Sequence, residues 1–492
     1  MFWIYLWQLK EYHTGRFIDH FRTEKGKSLF LNFSNIFKII LFIYFFTLPL
    51  LFFFVVFLIY IAESVKTVWD LFKKKIKKPI LTKKTVFLIF SGLFVELFSL
   101  LLIYLNSKDV YWFAFWLLVF DVLCPFIVSL VVLLLQPLAV FGRNRIIKKA
   151  RLKREGFKNL LVIGITGSYG KTSTKEFLYS ILSSRFKVLK TEAHQNSEVG
   201  ISQCILDNLK PEHEIFIVEM GAYNRGGVKL LCSIAKPKIG VLTGINEQHM
   251  ATFGSQENII KGKYELIESL PKDGVAFFNA KNKYCVELYN KTQIRKFLYG
   301  ETAKFMGEED ILGAAAVAKE LGMSEEEILR ACDKIENKNL ASGENLDSRP
   351  WARIKMPGIQ VKKGINGLNV IDATYSANPD GVISNLDYLK SFPGRKVIVM
   401  PCLIELGKAS KEVHRRIGVK IGEVCDLAIV TTKDRLNELK EGAGSKVLFM
   451  ENPREIFKKI ESFCKDSDAV LLESRVRNSL ESTQKLIKML EK

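Results

Sequence analysis

Three long apolar stretches stand in the first third of the chain: 36–61, 86–105 and 110–141. Each holds one charged residue, in order Lys38, Glu96 and Asp121. A helix that crosses a bilayer needs about 20 apolar residues, so the pattern predicts membrane spans. The stretches are too long and too far from the start for a secretory signal peptide. Glu96 and Asp121 lie near the middles of adjacent antiparallel spans, where we expect a polar contact.

Basic residues flank the apolar stretches on one predicted side of the membrane. Eight follow the first stretch: Lys66, Lys73, Lys74, Lys75, Lys77, Lys78, Lys83 and Lys84. Seven follow the third: Arg143, Arg145, Lys148, Lys149, Arg151, Lys153 and Arg154. The positive-inside rule therefore predicts a multi-pass protein of the cytoplasmic membrane, with residues 150–492 in the cytoplasm.

The number of crossings stays open from sequence. Three full spans would put the N-terminus outside, although residues 1–30 are basic and aromatic enough for an interfacial helix. Pro49 in the first stretch, and Pro125 and Pro137 in the third, allow a re-entrant helical hairpin instead of a full crossing.

Beyond residue 155 the pattern changes to alternating short apolar runs and helical periodicity. The predicted strands form two sets: 159–166, 186–191, 214–219, 238–245 and 274–279, then 368–372, 395–400, 426–431, 446–450 and 468–473. This alternation is typical of α/β domains with parallel sheets, here a phosphate-loop domain and a Rossmann-like domain. A polar linker over Glu336–Arg349 separates the sets. We therefore predict a membrane domain at 1–155 and α/β domains at 156–349 and 350–492.

The first predicted strand leads into a glycine loop and then into a helix that begins near Lys171. This context favours phosphate binding over a plain strand-to-helix turn, although Ile165 replaces the usual first glycine. Backbone N–H groups and the helix N-terminus attract phosphate, Lys171 would reach the outer phosphates, and Thr172 or Ser173 would hold Mg²⁺. The predicted ATP-binding residues are Thr166, Gly167, Ser168, Gly170, Lys171, Thr172 and Ser173.

Polar residues also follow other predicted strands. Glu219 ends the third strand, Asn246 and His249 follow the fourth, and Asp372 ends the first strand of the second set. Ligands of open α/β sheets bind beyond the carboxyl ends of strands, so these side chains are candidates for ligand contacts. None is specific alone.

Lys263 completes an apolar stripe on the helical pattern 257–270, together with Ile259, Ile260, Leu266 and Ile267. The spacing predicts a lysine that points toward the core. A buried unpaired cation is unfavourable, so Lys263 must reach solvent, pair with an acid or be modified.

The formal net charge of +20 is explained largely by the basic residues beside the predicted spans, which would attract anionic lipid headgroups. Residues 156–492 carry no basic stripe with stacking aromatics, so nucleic acid is not an expected partner. The eight cysteines are scattered without metal-ligand spacing and are typical of reduced thiols.

These motifs together resemble the Mur ligase family, the ATP-dependent amide ligases of peptidoglycan synthesis, from about residue 158 onward. The resemblance is carried by Thr166–Ser173, Thr191–Gly200, Val218–Ala222, Thr243–Met250 and Gly262–Glu265. It implies that ATP phosphorylates a carboxylate and that an amine then attacks the acyl phosphate. It also implies Mg²⁺ ligands at Glu219 and His249, a carbamylated Lys263 as metal ligand and catalytic group, a phosphate contact from Asn196, and nucleotide contacts from Asp310 and Asp372.

The second half of the chain is similar to the family member that adds D-alanyl-D-alanine to a UDP-linked tripeptide. The similar segments are Ile371–Pro379, Glu405–Gly407 and the following His414. The resemblance implies a muramoyl-peptide precursor, UDP- or lipid-linked, and an amino acid or dipeptide as substrates, with membrane lipids as further partners. Ile359 replaces a family arginine, Asp310 an asparagine and Lys281 an aspartate, and the family's N-terminal sugar-binding domain has no match before the phosphate loop.

Two other functions stay open. A polyglutamylating ligase would share the fold, although Thr172 and Ser173 after Lys171 and the second-half motifs disfavour it. A non-catalytic ATP-binding membrane scaffold would fit the departures at Ile359 and Asp310 but would not need a set of metal ligands.

Overall fold

A computed structural model describes residues 1–73, 76–192, 195–303, 307–337, 360–374, 377–474 and 480–491. The chain divides into two compact units, residues 1–144 and 145–492.

The first unit is helical. Its helices are α1 (Phe2–Leu9), α2 (Thr14–His20), α3 (Glu24–Lys27), α4 (Phe33–Thr47), α5 (Pro49–Phe72), α6 (Lys83–Asn106) and α7 (Val110–Glu155), the last of which continues beyond the unit. Helices α5, α6 and α7 are long and apolar enough to cross a membrane. Within the aromatic N-terminal segment, Trp7 of α1 stacks on Phe17 of α2. Trp7 also donates a hydrogen bond of 3.1 Å to the hydroxyl of Ser129, which joins the segment to α7.

The first predicted span, 36–61, is not one continuous helix. Leu48 takes φ −137° and ψ 65°, outside the helical region that a following proline disfavours, and Pro49 starts the next helix. Helices α4 and α5 then fold back on each other, with the rings of Phe45 and Phe52 5.3 Å apart. The structure therefore has a helical hairpin at Pro49, one of the two possibilities that the sequence allowed. Pro125 and Pro137, by contrast, lie inside α7 without ending it.

The expected contact between Glu96 and Asp121 is also wrong. Asp121 accepts a hydrogen bond from the buried ammonium of Lys38 at 2.6 Å, and Glu63 accepts another from the same group at 2.9 Å. Glu96 instead accepts a long contact of 3.8 Å from the thiol of Cys124. Lys38, near the start of the first predicted span, is thus the partner of Asp121, because the hairpin brings α4 against α7.

The second unit holds two six-stranded sheets, and the first is wholly parallel in the order β2-β3-β1-β4-β5-β6. Its elements, which we call the first α/β domain, are β1 (Leu161–Thr166), α8 (Lys171–Leu182), β2 (Val188–Lys190), α9 (Glu198–Asn208), β3 (Ile215–Glu219), α10 (Gly227–Ala235), β4 (Ile239–Leu242), α11 (Met250–Phe253), α12 (Gln256–Glu268), β5 (Val275–Asn279), α13 (Lys283–Lys291), β6 (Arg295–Tyr299), α14 (Glu308–Glu320) and α15 (Glu325–Asn337). Apolar cores cover both faces of the sheet, as parallel strands require.

The second sheet has the order β11-β10-β9-β12-β8-β7 and is parallel except for β7 at its edge. Its elements, which we call the second α/β domain, are β7 (Gln360–Lys363), β8 (Asn369–Ala373), α16 (Pro379–Lys390), β9 (Lys396–Met400), α17 (Ser410–Val424), β10 (Leu427–Val430), α18 (Leu436–Ala443), β11 (Val447–Phe449), α19 (Pro453–Phe463), β12 (Ala469–Glu473) and α20 (Leu480–Leu490).

The predicted fold class is confirmed, and each of the ten predicted strands has a counterpart in the two sheets. Strands β6 and β7 were not predicted, because they are edge strands with charged residues such as Arg295 and Lys363 instead of an apolar run. The domain boundary predicted near residue 350 and the departure at Ile359 lie outside the described residues.

Candidate nucleotide and metal site

The phosphate loop connects β1 to α8 at the carboxyl edge of the first sheet. Helix α8 begins at Lys171, as predicted, and Gly170 precedes it with φ 76°. Only glycine fits there, because a Cβ would lie 2.4 Å from an oxygen of Asp310 in addition to the unfavourable φ. The loop therefore presents the N-terminus of an amphipathic helix to a ligand, the arrangement that favours phosphate.

Lys171 folds back over this loop. Its ammonium donates hydrogen bonds to the carbonyl of Gly167 at 2.8 Å and to that of Ser168 at 3.3 Å. Burial lowers the pKa of Lys171, although Glu219 and Asp310 oppose the change by their negative charge. The ammonium of Lys171 is therefore already held at the loop, where a bound anion would meet it.

Glu219, at the end of β3, contacts three of the surrounding polar side chains. Its carboxylate accepts hydrogen bonds from the hydroxyl of Thr172 at 3.0 Å and from the amide of Asn196 at 3.3 Å. The ammonium of Lys175 lies 3.2 Å away. Burial would raise the pKa of Glu219, but Lys171, Lys175 and the two hydrogen bonds hold it below its ordinary value. Glu219 is therefore a carboxylate at neutral pH.

Lys175 was missed from sequence. It is 0% exposed and lies one helical turn after Lys171, on the same face of α8. That spacing is the signal that could have found it.

The oxygen atoms of Thr172 and Glu219 fit Mg²⁺. Mg²⁺ prefers hard oxygen ligands and is usually bound by one or two carboxylates together with phosphates and water. Within the described residues, no group of three or more His, Cys, Asp and Glu side chains is arranged to hold a metal alone. A nucleotide would therefore have to supply part of the coordination shell.

Lys263 points into the core from α12, as predicted, and is 1% exposed. Its ammonium donates a long hydrogen bond of 3.4 Å to the carbonyl of Ala222. Burial, and then the positive charge of Lys171, lower the pKa of Lys263 to about 7. A substantial fraction of this side chain is consequently a neutral amine near neutral pH.

His249 lies between the two α/β domains. Its Nδ1 atom is 2.8 Å from a carboxylate oxygen of Glu405 in the second domain, and its ring meets the ring of Tyr223 edge-on at 4.8 Å. Burial lowers the pKa of His249, with further lowering by Lys263 and Lys171 and opposition from Glu405. The positive charge of Lys171 thus acts on His249 and Lys263, and it acts on Glu219 as well.

Other polar contacts join the two domains beside His249. The amide of Asn246 donates to Asp380 at 2.9 Å and to Asn378 at 3.2 Å, both at the start of α16. Arg416 of α17 donates to Glu247 at 3.2 Å. The segment after β4 therefore forms the surface on which the second domain docks.

Two family models match this chain: the Mur ligase middle domain over residues 165–331 and the Mur ligase glutamate ligase domain over residues 359–475. The chain belongs to the Mur ligase family by these two domains. The first match contains the phosphate loop, Glu219, His249 and Lys263, and the second contains Glu405.

Similar curated proteins carry the name UDP-N-acetylmuramoyl-tripeptide–D-alanyl-D-alanine ligase. The protein of Synechocystis sp. is 31% identical over 280 residues, which cover 53% of this chain and 59% of the relative. That of Bacillus subtilis is 28% identical over 305 residues, covering 56% and 62%. This Mur ligase therefore spans about three fifths of the length of the curated relatives that it matches.

Solved structures show the same fold. MurF from Acinetobacter baumannii aligns with a TM-score of 0.61 at 23% identity, covering 70% of this chain and 80% of that chain. MurF ligase from Thermotoga maritima, solved in complex with ADP, aligns with a TM-score of 0.57 at 24% identity, covering 71% and 83%.

The two remaining predicted nucleotide contacts lie in different places in this Mur ligase. Asp310 is buried under the phosphate loop, where it accepts a hydrogen bond from Thr174 at 3.2 Å. Burial and the neighbouring Glu309 hold the pKa of Asp310 well above its usual range. Asp372 ends β8 in the second domain, and its described hydrogen bonds come from the hydroxyl and the backbone of Thr374.

Proposed function

We propose that this Mur ligase is a membrane-anchored, ATP-dependent ligase that joins an amino acid or D-alanyl-D-alanine to the carboxylate of a muramoyl-peptide precursor. The observation that carries the proposal is the set of polar contacts at the loop, where Lys171 bonds to the loop carbonyl of Gly167 and Glu219 accepts a hydrogen bond from Thr172. Burial lowers the pKa of Lys263 and of His249, and the positive charge of Lys171 lowers both further. The names of the curated relatives support the substrate class.

In the first step, an oxygen of the acceptor carboxylate attacks the γ-phosphorus of ATP and ADP leaves, which gives an acyl phosphate. Lys171 and the N-terminus of α8 stabilise the charge that builds on the transferred phosphoryl oxygens. Asn196 and Lys175 hold Glu219 in place as an oxygen ligand. Bound Mg²⁺, held by Thr172, Glu219 and His249, would neutralise phosphate charge during the transfer.

In the second step, the amine attacks the acyl carbon. The new C–N bond forms, the C–O bond to phosphate breaks, the nitrogen loses a proton, and inorganic phosphate leaves with the electron pair. The second α/β domain would deliver this amine, because it docks directly beside His249 through Asn378, Asp380 and Arg416.

Lys263 would act as a carbamate. Its neutral amine adds to CO₂, a C–N bond forms and one proton is released, so that a buried cation becomes a carboxylate-like group. The low pKa of Lys263 supports this reaction because only the neutral amine is nucleophilic. The carbamate would then hold or orient a second metal ion.

The membrane anchor rests on helices α5, α6 and α7 and on the basic residues beside them. Basic side chains at the end of an apolar helix attract anionic headgroups. Attachment to the bilayer would also raise the effective concentration of the enzyme for substrates in the same membrane.

The acceptor test compares two carriers of the same muramoyl peptide. Purified full-length protein in lipid nanodiscs is given ATP, Mg²⁺ and D-alanyl-D-alanine with either a UDP-linked or a lipid-linked tripeptide. We expect a product heavier by one dipeptide residue, with at least about tenfold higher kcat/KM for the lipid-linked acceptor because both molecules share the bilayer.

Mass spectrometry of the peptide identifies the product in both arms. Equal or better use of the UDP-linked acceptor would contradict a membrane-delivered substrate while leaving the ligase activity intact. Product in neither arm, with D-alanyl-D-alanine or with a mixture of free amino acids as the amine, would contradict the proposed function.

A further inference from the structure

The contact between His249 and Glu405 joins two strained residues. His249 has φ 66° and Glu405 has φ 62°, a region of backbone conformation that residues with side chains rarely adopt. Each residue belongs to a different α/β domain, and their side chains meet at 2.8 Å. Non-glycine residues in such conformations are concentrated at functional sites, where surrounding structure holds them.

The backbones of the two domains touch beside this pair. The N–H of Ala251 donates a hydrogen bond to the carbonyl of Glu405 at 3.0 Å. Gly407 has φ 51°, and a Cβ there would lie 3.1 Å from the Cα and the nitrogen of Ala251. The absence of a side chain at Gly407 is therefore what allows the Glu405 loop to approach α11.

The second domain holds the Glu405 loop from its own side. His414 of α17 is fully buried, and its Nε2 accepts a hydrogen bond from the N–H of Leu403 at 2.8 Å. Its Nδ1 lies 2.6 Å from the carbonyl of Ser410, to which it donates. His414 thus fixes the loop inside its own domain, so that docking of that domain presents an already ordered Glu405 to His249.

The chemistry of the pair sets the state of the His249 ring. A carboxylate only accepts hydrogen bonds, so the hydrogen of this contact is on Nδ1, and in the neutral ring Nε2 keeps its lone pair. Histidines that bind metal commonly donate their other N–H to a carboxylate in this way, and loss of that partner typically weakens metal binding by about 10- to 100-fold.

We propose that Glu405 is a positioning residue that makes metal binding at His249 depend on docking of the second α/β domain. The proposal rests on the proposed function, because it takes His249 as a ligand of the nucleotide-bound metal. Linkage is reciprocal: the factor by which docking tightens metal binding is the factor by which the metal favours docking. Metal affinity at the nucleotide site would thereby depend on whether the domain that delivers the amine is docked.

The test measures Mn²⁺ affinity by electron paramagnetic resonance, using full-length protein with a non-hydrolysable ATP analogue. Glu405→Ala should raise the Mn²⁺ Kd by about 10- to 100-fold. Glu405→Gln, whose amide oxygen still accepts the Nδ1 hydrogen, should recover most of the affinity. Glu441→Ala is the matched control, because Glu441 is an exposed acid of the same domain that pairs only with Arg415 among its described contacts, and it should bind Mn²⁺ like the wild type.

A double-mutant cycle separates positioning from a general structural effect. In a His249→Ala background, Glu405→Ala should cause little further loss of Mn²⁺ affinity, since both changes remove one interaction. Unchanged affinity in Glu405→Ala, or the same loss with and without His249, would overturn the positioning role even if the protein ligates its substrates. A wild-type protein that binds no Mn²⁺ with the nucleotide would overturn both this inference and the proposed function.

Discussion

Replacement of Lys171 by alanine should abolish ATP turnover while the protein still folds. The side chain contributes a point charge at the loop, where it is bound only to the carbonyls of Gly167 and Ser168 among its described hydrogen bonds. Removal of one group that stabilises transition-state charge typically lowers kcat by about 10²- to 10³-fold. ADP release measured with both substrates present gives the rate, and the melting temperature shows whether the variant is folded.

Lys187→Ala is the control for charge alone. Lys187 is exposed and lies beyond the end of α8, so its loss should leave turnover unchanged. Wild-type turnover in Lys171→Ala would show that this loop is not the catalytic nucleotide site.

Replacement of Lys263 by alanine should have the second large effect. A carbamate at this buried position would hold or orient a metal ion, and its loss should lower turnover by about 10²-fold or more. Short carboxylic acids such as acetate or formate should restore part of the rate, because a small carboxylate can occupy the space left by the side chain. The measurement is ADP release as a function of added acid.

Lys261→Ala supplies the matched control on the same helix. Lys261 is exposed on the opposite face of α12 and pairs with Glu257, so its loss should not change the rate or create a response to acetate. Ordinary activity of Lys263→Ala would contradict the carbamate. So would an unmodified amine at Lys263 in a high-resolution density map, together with a failure of acids to rescue the variant.

Local patterns predicted the parts of this molecule that depend on neighbouring residues. The helix that starts at Lys171 and the inward position of Lys263 follow from a loop motif and from helical periodicity, and both are confirmed. Strands β6 and β7 were not predicted because edge strands lack the apolar run that a buried parallel strand needs. Pro49 accounts for the helix break at Leu48. The sequence alone did not distinguish a kink from a hairpin there, because that difference depends on how the helices pack.

Long-range contacts were beyond the sequence. Lys38 and Asp121 lie 83 positions apart, and His249 and Glu405 lie 156 positions apart. Each pairing depends on how complete elements pack, which periodicity does not encode. The segment that contains Glu405 was recognisable by its resemblance to the family, whereas its contact with His249 required the docked arrangement of the two domains.

The most direct test of the proposed acyl-phosphate mechanism follows one oxygen atom. Full-length protein is given ATP, Mg²⁺, the amine and a muramoyl peptide whose acceptor carboxylate carries ¹⁸O, and the released phosphate is analysed by mass spectrometry. An acyl phosphate transfers one carboxylate oxygen to phosphorus, so we expect one ¹⁸O per phosphate, with as much amide as ADP. ATP cleavage that leaves the phosphate unlabelled, or ATP binding without any turnover as in a scaffold, would contradict it.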